Sequence, residues 1–402
     1  MAPDGKQSGR KSGKKSADPA PQRLKDLRDA LLGLGLDGFI QPRSDEHQGE
    51  YVAPRSERLA WLTGFTGSAG LAVVLKDKAA VFTDGRYTLQ AEAEVDGDLF
   101  ERCHLTDRPP TDWIAGNIKA GAKLGYDPWL MTPAQVDRYR AACKKAGAEF
   151  RATDSNPIDR VWTDQPPPPA APVAVQEDAF SGKPSADKRR ELGKQLKDQK
   201  LAAAVLTSPD SIAWLLNIRG ADVPFSPLAL SFAVIHDDGS ADLFIDGKKL
   251  SPEIRDHLGQ DVRCHGPDEF GAALDGLGKA KKTVRVNPDG SPAWVQDRLE
   301  AAGAGVDRGP DPCQLPKAKK NATELDGMRA AHRRDGASLT RFLAWLAREA
   351  PTGGLTEMGC AEKLESLRRE NDYFRGLSFP TISGAGANGA IVHYRVTEET
   401  DS

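Results

Sequence analysis

Two distant stretches of the sequence repeat the same order of parts. Residues 59–65, LAWLTGF, resemble residues 212–218, IAWLLNI, and apolar stretches after each copy end in Asp84-Gly85-Arg86 and Asp246-Gly247-Lys248. A helix-like and then a strand-like stretch precedes each copy, RLKDLRDALLGLGLDGFI before the first and KRRELGKQLKDQKLAAAVL before the second. Such repetition is the sign of a duplicated structural unit. The sequence therefore predicts two similar α/β domains in tandem.

A proline-rich stretch separates the two copies. Within TDQPPPPAAPVAV, four consecutive prolines remove backbone donors and hold the chain extended, as in a semi-rigid linker. We therefore predict the first domain at residues 22–165, the linker at 166–176 and the second domain at 177–314. Residues 1–21 carry five basic and two acidic side chains and no aliphatic run, which predicts a disordered basic tail.

The last stretch, residues 315–402, has a different pattern. Asn321 followed by Glu324 predicts a capping box that opens a long helix ended by Pro351, and Thr356 predicts the cap of a second helix that runs to about Arg369. The apolar, β-branched stretches SFPTIS and AIVHYRV then predict two strands. This order indicates the start of an α+β domain, unlike the two domains before it.

The overall balance of the 402 residues excludes several classes of protein. A formal net charge of −3 and a pI near 6.2 give no general attraction for nucleic acid or for an anionic membrane. No stretch has the roughly eighteen apolar residues of a membrane span. The five cysteines are odd in number, far apart and never spaced as CxxC, which fits a reducing compartment. We therefore predict a cytoplasmic protein with no nucleic-acid or membrane partner.

Motifs that would carry chemistry are few. Residues 384–389, GAGANG, match GxGxxG, but a dinucleotide loop must open a helix, whereas this one leads into an apolar stretch. Neither HExxH nor another paired-ligand spacing occurs, and neither does a GxSxG elbow. Trp61 and Trp214 are interpreted as core anchors, and the two Asp-Gly turns as structural turns. His332 is expected on a solvated helix face, and His393, taken alone, is interpreted as a strand histidine with satisfied hydrogen bonds.

Several of these stretches, taken in order, resemble one known family. The segments are EYVAPRSERLAWLTGFTGSAG, FTDGRYTLQA, DSIAWLLNIRGADV, LFIDGKK, KNATELDGMRAAHRRDGASLTRFLAWL, GLTE and LSFPTISGAGANGAIVHYR. In this order they resemble the three-domain form of Xaa-Pro aminopeptidase, or aminopeptidase P, a creatinase/prolidase-like metallopeptidase. The resemblance spans about residues 22–402. It implies two creatinase-like N-terminal α/β domains and the start of an α+β pita-bread catalytic domain that is truncated at its C-terminus.

The resemblance also implies an activity, which is hydrolysis of the peptide bond after an N-terminal residue when proline is second. It implies two divalent metals, usually manganese, as cofactors, Xaa-Pro peptides as substrates, and a homodimer. His393 matches the family's active-site histidine, which helps to bind the substrate and the transition state and is not a metal ligand. The family's ligands are two aspartates, one histidine and two glutamates, and all of them follow this histidine. No residue of this chain can be assigned to them.

Two functions therefore stay open at the level of sequence. In the first, the chain is an Xaa-Pro aminopeptidase by descent that binds no metal and is inactive as written, because water without a metal keeps its ordinary, high pKa. In the second, the chain is a non-catalytic association or regulatory protein built on the tandem domains. A third interpretation, creatinase or prolidase activity, is disfavoured by the long two-domain N-terminal half.

Overall fold

The computed structural model describes residues 19–402. Residues 1–18 of the predicted disordered tail therefore lie outside the described residues. The α-helices in this range are α1 Ala20–Gly33, α2 Arg58–Thr63, α3 Thr88–Glu94, α4 Pro110–Asn117, α5 Pro133–Lys145, α6 Pro157–Val161, α7 Asp178–Ser181, α8 Ser185–Asp198, α9 Pro209–Leu216, α10 Pro252–Leu258, α11 Phe270–Lys279, α12 Ala293–Ala302, α13 Gln314–Ala318, α14 Ala322–Glu349 and α15 Glu357–Arg369. The strands are β1 Gly38–Pro42, β2 Gly70–Leu75, β3 Ala79–Thr83, β4 Glu101–His104, β5 Lys123–Tyr126, β6 Glu149–Ala152, β7 Ala174–Val175, β8 Ala203–Leu206, β9 Ile218–Arg219, β10 Phe232–His236, β11 Ala241–Phe244, β12 Val262–His265, β13 Thr283–Val286 and β14 Gly305–Arg308. Short 3₁₀ helices lie at Pro54–Ser56, Gly247–Lys249, Pro267–Glu269, Ala350–Thr352 and Gly386–Ala390.

Two six-stranded sheets share one architecture. The first has the order β4-β3-β2-β1-β5-β6, and the second has the order β12-β11-β10-β8-β13-β14. The first strand of each domain, β1 or β8, lies inside its sheet, antiparallel to one neighbour and parallel to the other. The outer pairs on both sides are parallel in both sheets. The predicted tandem duplication of an α/β domain is therefore confirmed.

Helices cover both faces of each sheet, which explains why the central strands are mostly apolar and buried. In the first domain, Leu27 of α1 packs in the core on one face and Trp113 of α4 in the core on the other. In the second domain, Leu196 of α8 and Leu299 of α12 occupy the corresponding cores. All five residues of β3 are buried. Burial on two faces fixes the register of these strands, because no face is free to turn toward water.

The two tryptophans that the sequence analysis interpreted as core anchors lie at the margins of these cores. Trp61 packs against the first domain's core and stacks on Trp162, with ring centroids 5.5 Å apart. Trp214 packs against the second domain's core, and the Lys188 ammonium lies 4.6 Å from its ring centroid. Both side chains are only partly buried. The predicted packing role of both tryptophans therefore agrees with the structure.

The two domains meet through corresponding loops, those that follow β5 and β13. Trp129 stacks on Trp294 with ring centroids 4.0 Å apart. The backbone N–H of Trp294 donates to the Pro128 carbonyl at 3.0 Å, and that of Ala293 donates to the Met131 carbonyl at 2.7 Å. The first-turn donors of α12 thus find their acceptors in the other domain. The carboxyl ends of β5 and β13, equivalent strands of the duplicated domains, therefore face each other.

The helices predicted for the third region are present. Asn321 Oδ1 accepts from the Glu324 backbone N–H at 2.9 Å, and Glu324 Oε2 accepts from the Asn321 N–H at 2.9 Å, which confirms the predicted capping box of α14. Thr356 caps α15, also as predicted. Arg368 of α15 donates to both carboxylate oxygens of Asp335 on α14, at 2.6 and 3.0 Å. These contacts join α14 and α15 into a helical pair.

The prediction of strands at SFPTIS and AIVHYRV is wrong for this structure. Residues 370–402 contain one short 3₁₀ helix, Gly386–Ala390, and no strand. An extended segment is stable only when a neighbouring strand accepts and donates its backbone hydrogen bonds, and no strand of the described residues pairs with these two. His393, in the middle of the second segment, has φ 55°, which is incompatible with an extended strand.

Helix α14, with 28 residues, is long enough to span a bilayer but is amphipathic and carries many charges. Its exposed apolar side chains include Leu325, Met328 and Leu343. His332 on this helix is exposed, as predicted. Across residues 19–402, none of the helices combines the length and the apolar character that crossing a membrane requires.

Candidate functional site

A cleft of about 330 Å³ contains His393 and lies between the first domain and the last segment of the chain. The first domain contributes side chains from the loop before α2, from the turn before β2 and from the start of α3. The last segment contributes side chains from residues 378–382 and 393–395. The residues that line the cleft are Glu50, Tyr51, Ser68, Tyr87, Ser378, Phe379, Pro380, Ile382, His393, Tyr394 and Arg395.

A chain of hydrogen bonds ties His393 to the first domain. The Tyr87 hydroxyl lies 3.1 Å from His393 Nδ1 and 2.6 Å from Ser68 Oγ. The Tyr87 and His393 rings meet edge to face, with centroids 5.4 Å apart and planes at 69°. Tyr87 is 3% exposed, so it forms a fixed wall for the more exposed imidazole. Because Nδ1 is engaged by Tyr87, Nε2 is the ring nitrogen left for a ligand in the cleft.

The turn after β3 positions Tyr87. Asp84 accepts from the Arg86 backbone N–H at 3.0 Å and from the Arg86 guanidinium at 2.9 and 2.7 Å. These bonds hold the pKa of the Asp84 carboxyl below its usual value. The Arg86 guanidinium lies 5.1 Å from the Tyr87 ring centroid, and Phe65 contacts the same ring edge to face at 5.9 Å. The turn that the sequence indicated is present, and it orients the tyrosine of the cleft.

A buried carboxylate holds the loop that carries His393. Glu357, 2% exposed at the start of α15, accepts from the Ala385 N–H at 2.5 Å, from the Asn388 side chain at 3.1 and 3.2 Å, and from the Tyr394 hydroxyl at 2.8 Å. Burial acts to raise the pKa of Glu357, but these hydrogen bonds outweigh it and leave the pKa lowered. Three residues of the loop therefore donate hydrogen bonds to one ionised side chain.

The GxGxxG match at residues 384–389 belongs to this loop. It opens the short 3₁₀ helix Gly386–Ala390 and no α-helix follows it within the described residues, so it has no N-terminal anion site of the dinucleotide kind. Its Ala385 N–H and Asn388 side chain bond to Glu357 instead of facing a ligand. Gly386 has φ 53°, a conformation that glycine adopts without strain. Glycine in this motif thus allows the tight backbone conformation of the loop that carries His393.

Sequence reasoning singled out His393 but not its partners. Tyr87, Ser68 and Glu357 were not recognised as site residues. Tyr87 directly follows the Asp-Gly-Arg turn, which was interpreted only as a turn, and that position was the available signal. Residues 87 and 393 are 306 positions apart, so no spacing rule could pair them.

The described residues do not form a metal centre. Across residues 19–402, no three side chains of His, Cys, Asp or Glu come together as candidate ligands. Within the cleft, Glu50 and His393 are the groups of this kind, and two do not make a dinuclear site.

Family models match the chain in three consecutive parts. The Creatinase/Prolidase N-terminal domain matches at residues 23–161, and a second model with the same description matches at residues 164–324. Metallopeptidase family M24 matches at residues 326–401. These three matches follow the two sheets and the helical pair along the chain.

Relatives with similar sequences cover nearly all of this chain. A probable Xaa-Pro aminopeptidase P of Aspergillus clavatus is 37% identical over 385 residues, which are 93% of this chain and 58% of the relative. One from Leptosphaeria maculans is 37% identical over 386 residues, 93% of this chain and 62% of the relative. The crystal structure of X-prolyl aminopeptidase from Caenorhabditis elegans, a cytosolic enzyme with a di-nuclear active site, matches with a TM-score of 0.87 at 32% identity. That match covers 95% of this chain and 65% of the other, so the chain spans less than two thirds of all three relatives.

Proposed function

The chain belongs to the Xaa-Pro aminopeptidase P group of the creatinase/prolidase-like metallopeptidases, and from this premise we propose that it recognises peptides whose second residue is proline, for release of their N-terminal residue. One observation carries the proposal. His393 closes a cleft against the first domain and keeps Nε2 available for a ligand. Because the first domain and the last segment both line the cleft, the first domain is proposed to contact the peptide directly.

The lining of this cleft suits an Xaa-Pro segment. Tyr51, Phe379 and Ile382 present aromatic and aliphatic surface beside His393, and Phe379 and Ile382 are 59% and 56% exposed. A pyrrolidine ring that covers this surface removes apolar area from water, at about 25 cal/mol per Å². Glu50 adds a carboxylate for the peptide's terminal ammonium. In this proposal, His393 binds the peptide carbonyl and stabilises it as charge develops.

The role of His393 is tested by following its imidazole signals in an NMR titration with a Xaa-Pro-Pro tripeptide. The account expects saturable shifts of the His393 signals, and about ten-fold weaker binding by His393→Ala, because one hydrogen bond to a polar ligand is lost. His332→Ala is the matched control, since His332 is exposed on α14 outside the cleft. Binding that His393→Ala leaves unchanged would remove His393 from the proposed site.

Metal dependence is a separate part of the proposal. The match to Metallopeptidase family M24 supports divalent metals, and we take manganese as the identity to be tested. Residues 19–402 offer no group of three candidate ligands, so the 402-residue chain is proposed not to hydrolyse peptides by itself. The test incubates the chain with the tripeptide and Mn²⁺ and measures released amino acid by chromatography. Release above the chain-free control would overturn this part and leave the peptide-binding claim intact.

Domain boundaries at residues 22–165, 166–176, 177–314 and 315–402 also stand as proposals. The separation of the two sheets supports the two domains. At the end of the proposed linker, however, Val173 packs in the second domain's core and β7 pairs with β9, and the second family match runs on to residue 324. Limited proteolysis with mass spectrometry tests them, because cleavage should concentrate in the proline-rich connection. Early cleavage inside a sheet domain would contradict them.

A cytosolic homodimer is the proposed state of the protein. The relative from Caenorhabditis elegans is a cytosolic enzyme, which supports the location. Exposed apolar side chains on α14, such as Met328 and Leu343, are compatible with a protein contact there. Light scattering after size-exclusion chromatography measures the mass in solution. A mass of twice 43.3 kDa is expected, and a monomer across the concentration range would contradict the dimer.

A further inference from the structure

The second domain touches the cleft around His393 indirectly. Among the described residues, none of the side chains that line this cleft belongs to the second domain. The loop of residues 220–231, between β9 and β10, nevertheless reaches one wall of the cleft. In this loop, Phe225 packs against Tyr51 with ring centroids 5.3 Å apart and planes at 52°, and Tyr51 lines the cleft. The second domain therefore contacts the cleft through this aromatic pair.

A buried ion pair holds the base of the loop. Lys249 Nζ donates to Asp222 Oδ2 at 2.6 Å, and both side chains are at least nine-tenths buried. The Asp222 carboxylate also accepts from the backbone N–H of Leu230 at 2.7 Å and from that of Ala171 at 3.2 Å. A buried polar network whose members are hydrogen-bonded is rigid. The two ends of the loop are therefore fixed to each other and to the body of the second domain.

The backbone narrows the loop into a tight turn at Phe225. The Asp222 N–H donates to the Leu228 carbonyl at 3.0 Å. Closer to the tip, Val223 and Ser226 form an isolated antiparallel bridge. Phe225 lies between these two residues with φ 61°. A left-handed conformation is unusual for a bulky side chain, so the surrounding contacts hold this ring against local backbone preference.

Backbone strain of this kind is concentrated around the cleft. In residues 19–402, six residues other than glycine have a left-handed φ. Three of them lie in the three segments that meet here, and they are Gln48, Phe225 and His393, with φ of 56°, 61° and 55°. Gln48 belongs to the same loop as Tyr51. Because strained backbone persists only where tertiary contacts hold it, and clusters at functional sites, this distribution points to a function for the contact.

Tyr51 depends on packing for its position. Its side chain is half-buried, and its hydroxyl forms no hydrogen bond with residues 19–402. Van der Waals contact therefore positions the ring, and Phe225 provides the aromatic part of that contact. The Tyr51 ring is also part of the apolar surface beside His393. A change at Phe225 should therefore alter the wall of the cleft, although Phe225 does not line it.

We infer that Phe225 is a positioning residue, which holds Tyr51 in place for recognition of a peptide in the cleft. The second domain thus takes part in recognition without contacting the peptide. The buried Asp222–Lys249 pair fixes the loop, the turn presents the Phe225 ring, and the ring restrains Tyr51. This inference rests on the proposed function, because it assigns the wall formed by Tyr51 to the Xaa-Pro segment.

Replacement of Phe225 by glycine removes the ring and keeps the turn, because glycine adopts φ 61° without strain. In isothermal titration with the tripeptide Arg-Pro-Pro, Phe225→Gly should bind about three- to five-fold more weakly, since Tyr51 loses an aromatic contact. Phe225→Tyr keeps the ring and should bind as the unmodified chain does. Phe180→Ala removes a different ring of the second domain, 49% exposed and outside the cleft, and should also leave the affinity unchanged.

A double-mutant cycle separates positioning from a general structural effect. In a Tyr51→Ala background, Phe225→Gly should have little further effect on affinity, because the side chain that it positions is gone. In the peptide-free chain, the NMR signals of the Tyr51 ring should move in Phe225→Gly and stay in place in Phe180→Ala.

The outcomes distinguish this inference from the proposed function. If the unmodified chain does not bind Arg-Pro-Pro, the proposed function and this inference both fail. If the unmodified chain binds and Phe225→Gly binds equally well, this inference alone is overturned. Additive effects of Phe225→Gly and Tyr51→Ala, or an equal weakening by Phe180→Ala, would overturn it in the same way and leave the proposed function intact.

Discussion

His393 is held by contacts from two widely separated parts of the chain. Tyr87 engages its Nδ1 from the first domain, and Glu357 holds the adjacent Tyr394 hydroxyl at 2.8 Å. Its left-handed backbone conformation, φ 55°, is unfavourable for a residue with a side chain and persists because both neighbours restrain it. The position of this imidazole is therefore a product of tertiary structure, although the residue itself stands out in the sequence.

Replacement of Tyr87 by phenylalanine tests the contribution of a single hydroxyl group to this arrangement. Tyr87→Phe keeps the ring contact with His393 and removes the hydrogen bonds to Nδ1 and to Ser68. We expect three- to ten-fold weaker binding of an Xaa-Pro peptide, since a neutral hydrogen bond contributes about 1 kcal/mol. The His393 ¹⁵N signals should also move, because the hydrogen bond at Nδ1 is lost. Tyr126→Phe, on a buried ring that stacks on Phe150, is the control; if it behaves like Tyr87→Phe, the special role of Tyr87 is refuted.

Lys188 supports a prediction about pH. Its ammonium donates to Asn217 Oδ1 at 2.6 Å and to the Trp214 carbonyl at 2.8 Å, and burial lowers its pKa from 10.5 to about 8. In the unfolded chain the amine keeps its proton to about pH 10. Between these values the unfolded state binds more protons, so the contribution of Lys188 to the free energy of unfolding rises with pH.

Urea unfolding at about pH 7.5 and about pH 9.5 measures this effect. The stability of the unmodified chain relative to Lys188→Met should increase between the two pH values. Lys194→Met, at an exposed position on the same helix, should show no such change relative to the unmodified chain. A Lys188 difference that stays constant or falls would show that burial does not lower the pKa of this amine.

At the scale of elements, the cap of α14 also ties the third region to the second domain. Besides its capping bond, Asn321 donates from Nδ2 to the Ser181 carbonyl at 2.8 Å. Asn321→Ala removes both interactions and should cost about 2 kcal/mol, whereas Asn321→Asp keeps the cap and should cost about 1 kcal/mol. Urea unfolding gives the two free energies. Equal losses would mean that the cap contributes nothing, and no loss in Asn321→Asp would mean that the bond to Ser181 contributes nothing.

Elements whose signals are local were predictable from the sequence. The capping box of α14 lies within four residues. The helix α1 is indicated by the helical spacing of Leu24, Leu27 and Leu31, and the duplication by a repeated order of parts. Extended segments depend on partners elsewhere, which is why SFPTIS and AIVHYRV were wrongly predicted as strands. The residues of the candidate site divide in the same way, into one with a local signal and others that depend on distant contacts. His393 was recognisable from its surrounding motif, whereas Tyr87 and Glu357 make their contacts across 306 and 37 positions of sequence, respectively.

At the scale of the molecule, contacts between corresponding turns join the duplicated domains. The Trp129–Trp294 stack and two backbone hydrogen bonds join the turn after β5 to the turn after β13.

Truncation of Trp129 tests the coupling of the domains. Trp129→Ala removes a half-buried indole and its three aromatic contacts, and it should lower the free energy of unfolding by about 2–3 kcal/mol. Heat denaturation followed by calorimetry should then resolve two transitions where coupled domains give one. Trp345→Ala, a partly buried indole on α14, should leave the coupling of the sheet domains unchanged. A single unshifted transition in Trp129→Ala would contradict this account.

The central claim is that the cleft between the first domain and His393 selects peptides with proline in second position. Isothermal titration of the chain with an Arg-Pro-Pro peptide and with its Arg-Ala-Pro counterpart tests it most directly. The account predicts saturable binding of the first peptide and affinity at least about five-fold lower for the second, because alanine leaves the apolar wall of Phe379 and Ile382 uncovered. Equal affinity for both peptides, or no binding of the proline peptide, would contradict it.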